Sequence, residues 1–383
     1  RCLPDPTRVR RPSRGSPTGA EQRGAMLGAA LGVSGVVGAG LLLLLRHLAD
    51  GPPPRLSARL AKERAERAAV GFKAFLQKTI TFDQLLSGLE VESVDAGGVV
   101  RVSLAASSSS SCSALLAERP NGQRRQLHEG ALMLLVDDVT GMAMQVAGRA
   151  GGVSVELSFS MVRPVFADEV LTAEGRTLRV GRTIAFLKIE FRDSSGQLVG
   201  VGSHIKHVGA PFVWRVLHGL SSRYPWLAQW MHKRHMGMLE HVINKYNLKK
   251  VADLSKDSME KVLDLRRKRQ DSEASEHGAS RFESFVYYPM LNPLGAGHGA
   301  SSAALLAAAV RAHLCPDGSE DKIRVEITEM SVSYLDPVPD RQAADVIVTP
   351  LSDSSTTYLA EIRSKQGHLY VRGRVTAIAH QDS

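Results

Sequence analysis

Residues 127–146 read LHEGALMLLVDDVTGMAMQV, and residues 297–314 read GHGASSAALLAAAVRAHL. Each opens on a histidine at the start of an apolar run too long for a strand, which predicts a buried helix. Behind the first come the alternating segments Val153–Arg163, Glu169–Val180 and Thr183–Asp193, then the turn Ser194-Ser195-Gly196 and a fourth segment, Leu198–Val208. Behind the second come Lys322–Leu335, Ala344–Pro350, Thr357–Ser364 and His368–Ala379. Alternation at period two predicts strands with one face buried. Ahead of the first helix, Leu89–Val94 and Val99–Leu104 flank Asp95-Ala96-Gly97-Gly98, a hairpin signal; ahead of the second lies a strand, Phe282–Met290. The turn Gly196-Gln197-Leu198 has its echo in Gly367-His368-Leu369, and Arg163-Pro164 in Asp336-Pro337. The plan is an internal duplication of an α+β domain, one helix packed on a curved antiparallel sheet.

The remaining segments frame the two copies. Residues 1–25 are Arg-rich and acid-poor, as in a mitochondrial targeting leader; the alternatives are a translated upstream region with Met26 as the start and a cleaved signal peptide. Met26–Leu45 is an apolar, glycine-containing stretch closed by Arg46, and about 20 residues suffice to cross a bilayer core. A transmembrane helix over 26–46 is therefore expected, with mitochondria favoured over the endoplasmic reticulum. Leu56–Lys78 reads as an amphipathic helix with Leu60, Ala65, Ala69 and Phe72 on its apolar side. Ser107–Ser111 is a low-complexity loop. The first domain covers 55–209 and the second 281–383. Between them, 210–280 reads as a basic helical linker holding all three tryptophans, with Arg266, Arg267 and Lys268 near its end.

Composition narrows the function. With 43% hydrophobic residues the 383-residue chain has material for two cores. Three cysteines without CxxC spacing provide neither a disulfide framework nor a zinc site. A net charge of +9 points to nucleic acid, anionic lipid or a polyanionic small molecule. Aromatics at 5% and the absence of any nucleic-acid-binding motif argue against the first.

The order Leu127-His128, Leu135-Val136-Asp137, Gly152-Val153-Ser154-Val155, Arg182-Thr183-Ile184-Ala185-Phe186 and Gly202-Ser203-His204-Ile205-Lys206-His207 resembles the hotdog-fold acyl-CoA thioesterases, in particular the PaaI-like group. The resemblance covers about residues 70–209. The second repeat is recognised mostly by internal comparison. The resemblance implies a tandem, double hotdog fold that forms a pseudodimer within one chain, with further homo-oligomers possible. It also implies an acyl-CoA partner and no cofactor beyond the coenzyme A of the substrate.

Thioester hydrolysis needs an activated water and a donor for the oxyanion. A backbone N–H at a helix start is unpaired within the helix and lies at the positive end of its dipole. A carboxylate across the cleft can take a proton from water, contributing about 10²–10⁴-fold. In the family, asparagine and the His-Gly helix start come from one protomer, aspartate and serine from the other. Carried over, the first repeat offers Asp137 and Ser154 but has Glu129 at the oxyanion position. The second keeps Asn292, His298 and Gly299 but has Ala307 for the aspartate and Ile327 for the serine. One composite site is expected, Asn292/His298/Gly299 with Asp137/Ser154, and a dead one, Asn121/His128/Glu129 with Ala307/Ile327. By the same resemblance His128, Arg182, His204, Lys206 and Arg374 are candidate substrate or CoA contacts. The competing reading is a non-catalytic, membrane-anchored pseudodimer that binds acyl-CoA or scaffolds partners.

Overall fold

The computed structural model describes residues 58–79, 81–105, 115–117, 124–149, 151–209, 230, 234, 259–268, 278–287, 290–292, 296–315, 323–352 and 355–381. The leader, the apolar span 26–46, Asn121 and most of the 210–280 segment lie outside them. Among the described residues no helix is long and apolar enough to cross a membrane.

The first repeat runs α1 (Ala58–Lys78), a 3-10 turn (Phe82–Leu86), β1 (Glu90–Asp95), β2 (Val99–Ala105), α2 (Glu129–Val146), β3 (Val153–Met161), β4 (Val170–Val180), β5 (Ile184–Arg192) and β6 (Leu198–His207). The second runs α3 (Met259–Leu263), β7 (Arg266–Arg267), β8 (Ser280–Val286), α4 (Gly299–Leu314), β9 (Ile323–Tyr334), β10 (Gln342–Pro350), β11 (Thr357–Ser364) and β12 (Leu369–Gln381). All strands join one antiparallel sheet in the order β1-β2-β4-β5-β6-β3-β9-β12-β11-β10-β8-β7. Read inward from either edge, the two halves have the same strand order. They meet at β3 and β9, with Ser158 opposite Ser331.

Each half wraps its sheet around one helix, which is the hotdog arrangement. The pattern of β5 shows why the sheet holds: Ala185, Leu187, Ile189 and Phe191 are buried, while Phe186 and Arg192 face outward. Full burial of Leu187, Ile189 or Phe191 stabilises by about 1.5–3 kcal/mol each. Helices α2 and α4 are buried almost all round, because the sheet covers one face and the other helix the opposite face. They approach closely at Gly130, where a Cβ would lie only 2.3 Å from the Ala304 Cβ. Small residues at that contact are what let the two helix starts reach across to each other's domain.

Two boundaries differ from the sequence reading. The buried face of α1 is Ala65, Phe72 and Leu76, packed on α2 and β1; Leu60 is 47% exposed, one turn before that contact begins. Residues 259–268, expected to be linker, belong with the second repeat. Met259, Val262 and Leu263 enter the core, and Arg266–Arg267 pair with β8 as an edge strand. A charged two-residue strand carries no periodicity to read.

Candidate active site

Both helix histidines are N-caps. The Nδ1 of His128 accepts the Gly130 N–H at 2.8 Å, and that of His298 accepts the Ala300 N–H at 3.0 Å. This fixes each ring against the first turn and leaves the N–H of the following residue, Glu129 or Gly299, at the helix tip. At α4 the Gly299 carbonyl accepts the Tyr334 hydroxyl at 2.7 Å, and the Gly299 N–H has no partner among the described residues. That N–H is a donor available to a ligand at the positive end of a helix.

Facing it is Asp137, from the third turn of α2 in the other repeat. A Cβ added to Gly299 would lie 3.1 Å from Asp137 Oδ2, and His298 Nδ1 is 3.7 Å from the same oxygen. Asp137 Oδ1 accepts the Lys206 ammonium at 3.0 Å and is 3.3 Å from the Ser154 hydroxyl. Burial would raise the Asp137 carboxyl, but Lys206, then His204 and His298, hold it below the usual aspartate range. In the resting site it is a carboxylate, the form that can accept a proton.

Ser154 reaches this cluster because of a bulge. Strict alternation from the inward residues Leu157 and Phe159 would send Ser154 outward. In the β3–β6 pairing, Ser154 faces Lys206 and Glu156 faces Ile205, so Val155 is the extra residue and the parity flips. The second repeat has the same device: Glu329 faces Thr376 and Ile327 faces Ala377, which makes Thr328 the extra residue and turns Ile327 inward. The bulge is kept while the side chain it delivers has changed from a hydroxyl to an aliphatic group.

A hydrogen-bonded chain orders the serine. Thr140 Oγ1 donates to the Val136 carbonyl, His204 Nδ1 lies 2.7 Å from Thr140 Oγ1, and His204 Nε2 lies 3.0 Å from Ser154 Oγ. The Ser154 hydroxyl donates to Asp137 Oδ1, and the His204 ring is set between Thr140 and Ser154, one at each nitrogen. Burial and the Lys206 charge hold the His204 pKa well below an ordinary histidine, so the ring stays neutral.

The reciprocal corner is built differently. Glu129 is buried and bound by Arg311 of α4, whose Nε lies 3.1 Å from its carboxylate. Burial opposes this charge, but Arg311, His128 and the residue's own backbone N–H hold the Glu129 carboxyl below its ordinary range. The helix tip on this side thus carries a carboxylate tied to Arg311 where the other repeat has the bare Gly299. Ala307 and Ile327, both buried, bring no polar group to this side.

Other expected contacts are placed as follows. His204 and Lys206 are not on a CoA-facing rim: they are 0% and 7% exposed. On β6 they share the inward parity with Gly202, whereas Ser203 and His207 point out. His128 is likewise fully buried in its cap. Arg182 and Arg374 are exposed, Arg182 in the β4–β5 turn and Arg374 on β12 opposite Ser331. Asn292 is half-buried in the loop ahead of α4, where its Oδ1 accepts the Ala296 N–H at 3.3 Å. The sequence reading missed Thr140, Tyr334, Asp83 and Asp138. Metal-ligating atoms of Asp83, Asp138 and His298 lie within 4.8 Å of one another. The imidazole nitrogen a metal would need, Nε2, is engaged with Asp83 at 3.0 Å.

Two family models match the chain, one on each repeat. The thioesterase superfamily model matches residues 126–200, and the acyl-CoA thioesterase N-terminal domain model matches residues 289–380. Acyl-coenzyme A thioesterase 13 of Mus musculus is 30% identical over 100 residues, covering 26% of this chain and 71% of the relative. Its Homo sapiens counterpart is 29% identical over 136 residues, 35% of this chain and 89% of its own. Thioesterase superfamily member 2 of zebra fish, a solved structure, covers 40% of this chain and 99% of its own, at 27% identity and a TM-score of 0.31. An acyl-ACP thioesterase from Bacteroides thetaiotaomicron covers 74% and 100%, at 10% identity and a TM-score of 0.43. The chain belongs to the thioesterase superfamily, as a hotdog acyl-CoA thioesterase with two repeats.

Proposed function

We propose that the protein hydrolyses acyl-CoA thioesters to free acid and CoA at a single site shared by its two repeats. The observation that carries this reading is the Asp137 carboxylate held against the Gly299 helix start of the other repeat. Asp137 takes a proton from a water that Ser154 helps to hold, and the resulting hydroxide attacks the thioester carbon. The carbonyl oxygen becomes an oxyanion on the Gly299 N–H, with Asn292 on the same side. Collapse breaks the carbon–sulfur bond, and the proton held by Asp137 passes to the departing CoA thiolate. The exposed Arg182 and Arg374 supply positive charge for the CoA phosphates. Met26–Leu45 anchors the enzyme to a membrane, for which carbonate-resistant pelleting with the membrane fraction is the check.

The test uses the full chain in detergent with short, medium and long acyl-CoAs, following release of free thiol. Asp137→Asn is expected to lower turnover about 10²–10⁴-fold, while Ala307→Asp in a folded protein leaves it in place. Acyl-CoA binding without turnover on any thioester overturns the hydrolytic reading.

A further inference from the structure

His298 is enclosed by three carboxylates that arrive from the other repeat. Asp83 Oδ1, from the 3-10 turn, is 3.0 Å from its Nε2; Asp138 Oδ1 is 4.0 Å from the same nitrogen; and Asp137 Oδ2 is 3.7 Å from Nδ1. The Phe82 ring closes one side, with its centroid 5.9 Å from that of the imidazole. Asp83 is itself held: the buried Thr81 hydroxyl bonds its other oxygen, and Thr79 Oγ1 lies 2.6 Å from Thr81 Oγ1. None of these threonines or Asp83 carries a role in the hydrolysis proposed above.

We propose that Asp83 is the positioning residue for His298, selecting the ring state that keeps α4 capped and the Gly299 N–H aimed into the cleft. The argument is one of proton placement. Ala300 N–H is a donor only, so His298 Nδ1 must present a lone pair to it and the ring proton must sit on Nε2. A carboxylate 3.0 Å from Nε2 accepts that proton and disfavours the other tautomer. Asp138 completes the arrangement. Burial, then the charges of Asp83 and Asp137, push its pKa well up. Asp138 thus carries its negative charge less readily than Asp83, which is the ring's main acceptor.

The charged state of His298 follows from the groups facing it: Asp83 on the 3-10 turn, Asp137 and Asp138 on α2, and Lys206 on β6. Burial lowers its pKa, but Asp83 foremost raises it above an ordinary histidine, with Asp137 adding and Lys206 opposing. Protonation puts a hydrogen on Nδ1 and removes the acceptor from Ala300 N–H. The neutral ring is therefore the working form, and turnover rises with pH as His298 loses its proton.

This inference rests on Gly299 and His298 forming the carbonyl-binding corner, and its test separates the two ideas. The full chain is labelled with ¹⁵N-histidine, and the His298 ring signals, assigned by their loss in His298→Gln, are followed across pH. In the wild type the neutral ring carries its proton on Nε2. Asp83→Ala should mix the tautomers and reduce kcat about tenfold to a hundredfold, with KM within about threefold. Asp83→Asn, which keeps an acceptor of the same shape, should restore the Nε2-H form and most of kcat. It should also shift the His298 titration and the acid limb of the rate profile to lower pH. Ring signals that titrate identically in wild type and Asp83→Ala overturn the proposal, as does an Asp83→Asn variant no better than Asp83→Ala. A wild type without turnover whose ring signals still answer to Asp83 overturns the hydrolytic reading and upholds the positioning role.

Discussion

Asp137 Oδ2 stands 3.1 Å from the point where a side chain on Gly299 would begin, although the two residues belong to different repeats. The next groups out, the Tyr334 ring and Leu157, lie at ordinary contact distances of 3.4 and 3.5 Å, so the carboxylate alone is crowded. A methyl group in Gly299→Ala must displace either the carboxylate or the helix start. The shift needed is a few tenths of an ångström, so kcat for acyl-CoA hydrolysis should fall, by less than the about 100-fold that a misplacement of about 1 Å costs, measured as thiol release.

Lys206 and Asp137 are both buried and neutralise each other at 3.0 Å. Lys206→Met leaves the carboxylate without its cation and should destabilise the protein by about 3–5 kcal/mol in denaturant unfolding. The double variant Asp137→Asn/Lys206→Met should recover much of that loss. Because the folded Asp137 pKa is depressed, its contribution is present above the unfolded value near ~3.9 and fades as pH falls through the folded one.

His204 and His298 should pull stability in opposite directions with pH. The folded His204 pKa is lowered, so its contribution is full above the unfolded value near ~6.5 and is lost as pH falls below it. The folded His298 pKa is raised, so its contribution is full below ~6.5 and is lost as pH rises through the folded value. Unfolding free energies at a series of pH values should show a shallower acid-side decline in His204→Gln than in the wild type. An unchanged slope would mean that His204 is not buried neutral.

Arg311 and Glu129 form a buried pair across the helix interface, and Arg311 also donates to the Val325 carbonyl at 2.9 Å. Arg311→Met should cost about 3–5 kcal/mol by leaving Glu129 unpaired. Glu129→Gly should not open a second site, since Ala307 and Ile327 supply neither carboxylate nor hydroxyl. Calorimetric titration with CoA should give one site per chain in both variants.

The two helices, the succession of strands along each repeat and the residues Glu129, Ala307 and Ile327 at the matching positions are legible in the sequence. Apolar periodicity and the His-Gly signature carry them. What was hidden depends on geometry that periodicity does not encode. The bulge at Val155 turns Ser154 inward against strict alternation. His204 and Lys206 look like surface bases until their inward parity on β6 is known. Asp83 is 215 residues from His298 in sequence, so only the folded chain brings them together. Arg266–Arg267 form an edge strand through pairing with β8 alone.

The β3–β9 seam joins two copies encoded in one chain, and this alters how the protein can change. In a symmetric homodimer every substitution appears twice, so a glutamate at the helix tip would disable both corners at once. Here Glu129 occurs once and Gly299 persists. Covalent linkage lets one corner be recruited as an internal ion-paired strut while the other keeps its polar groups, and no exchange of subunits can restore the lost symmetry.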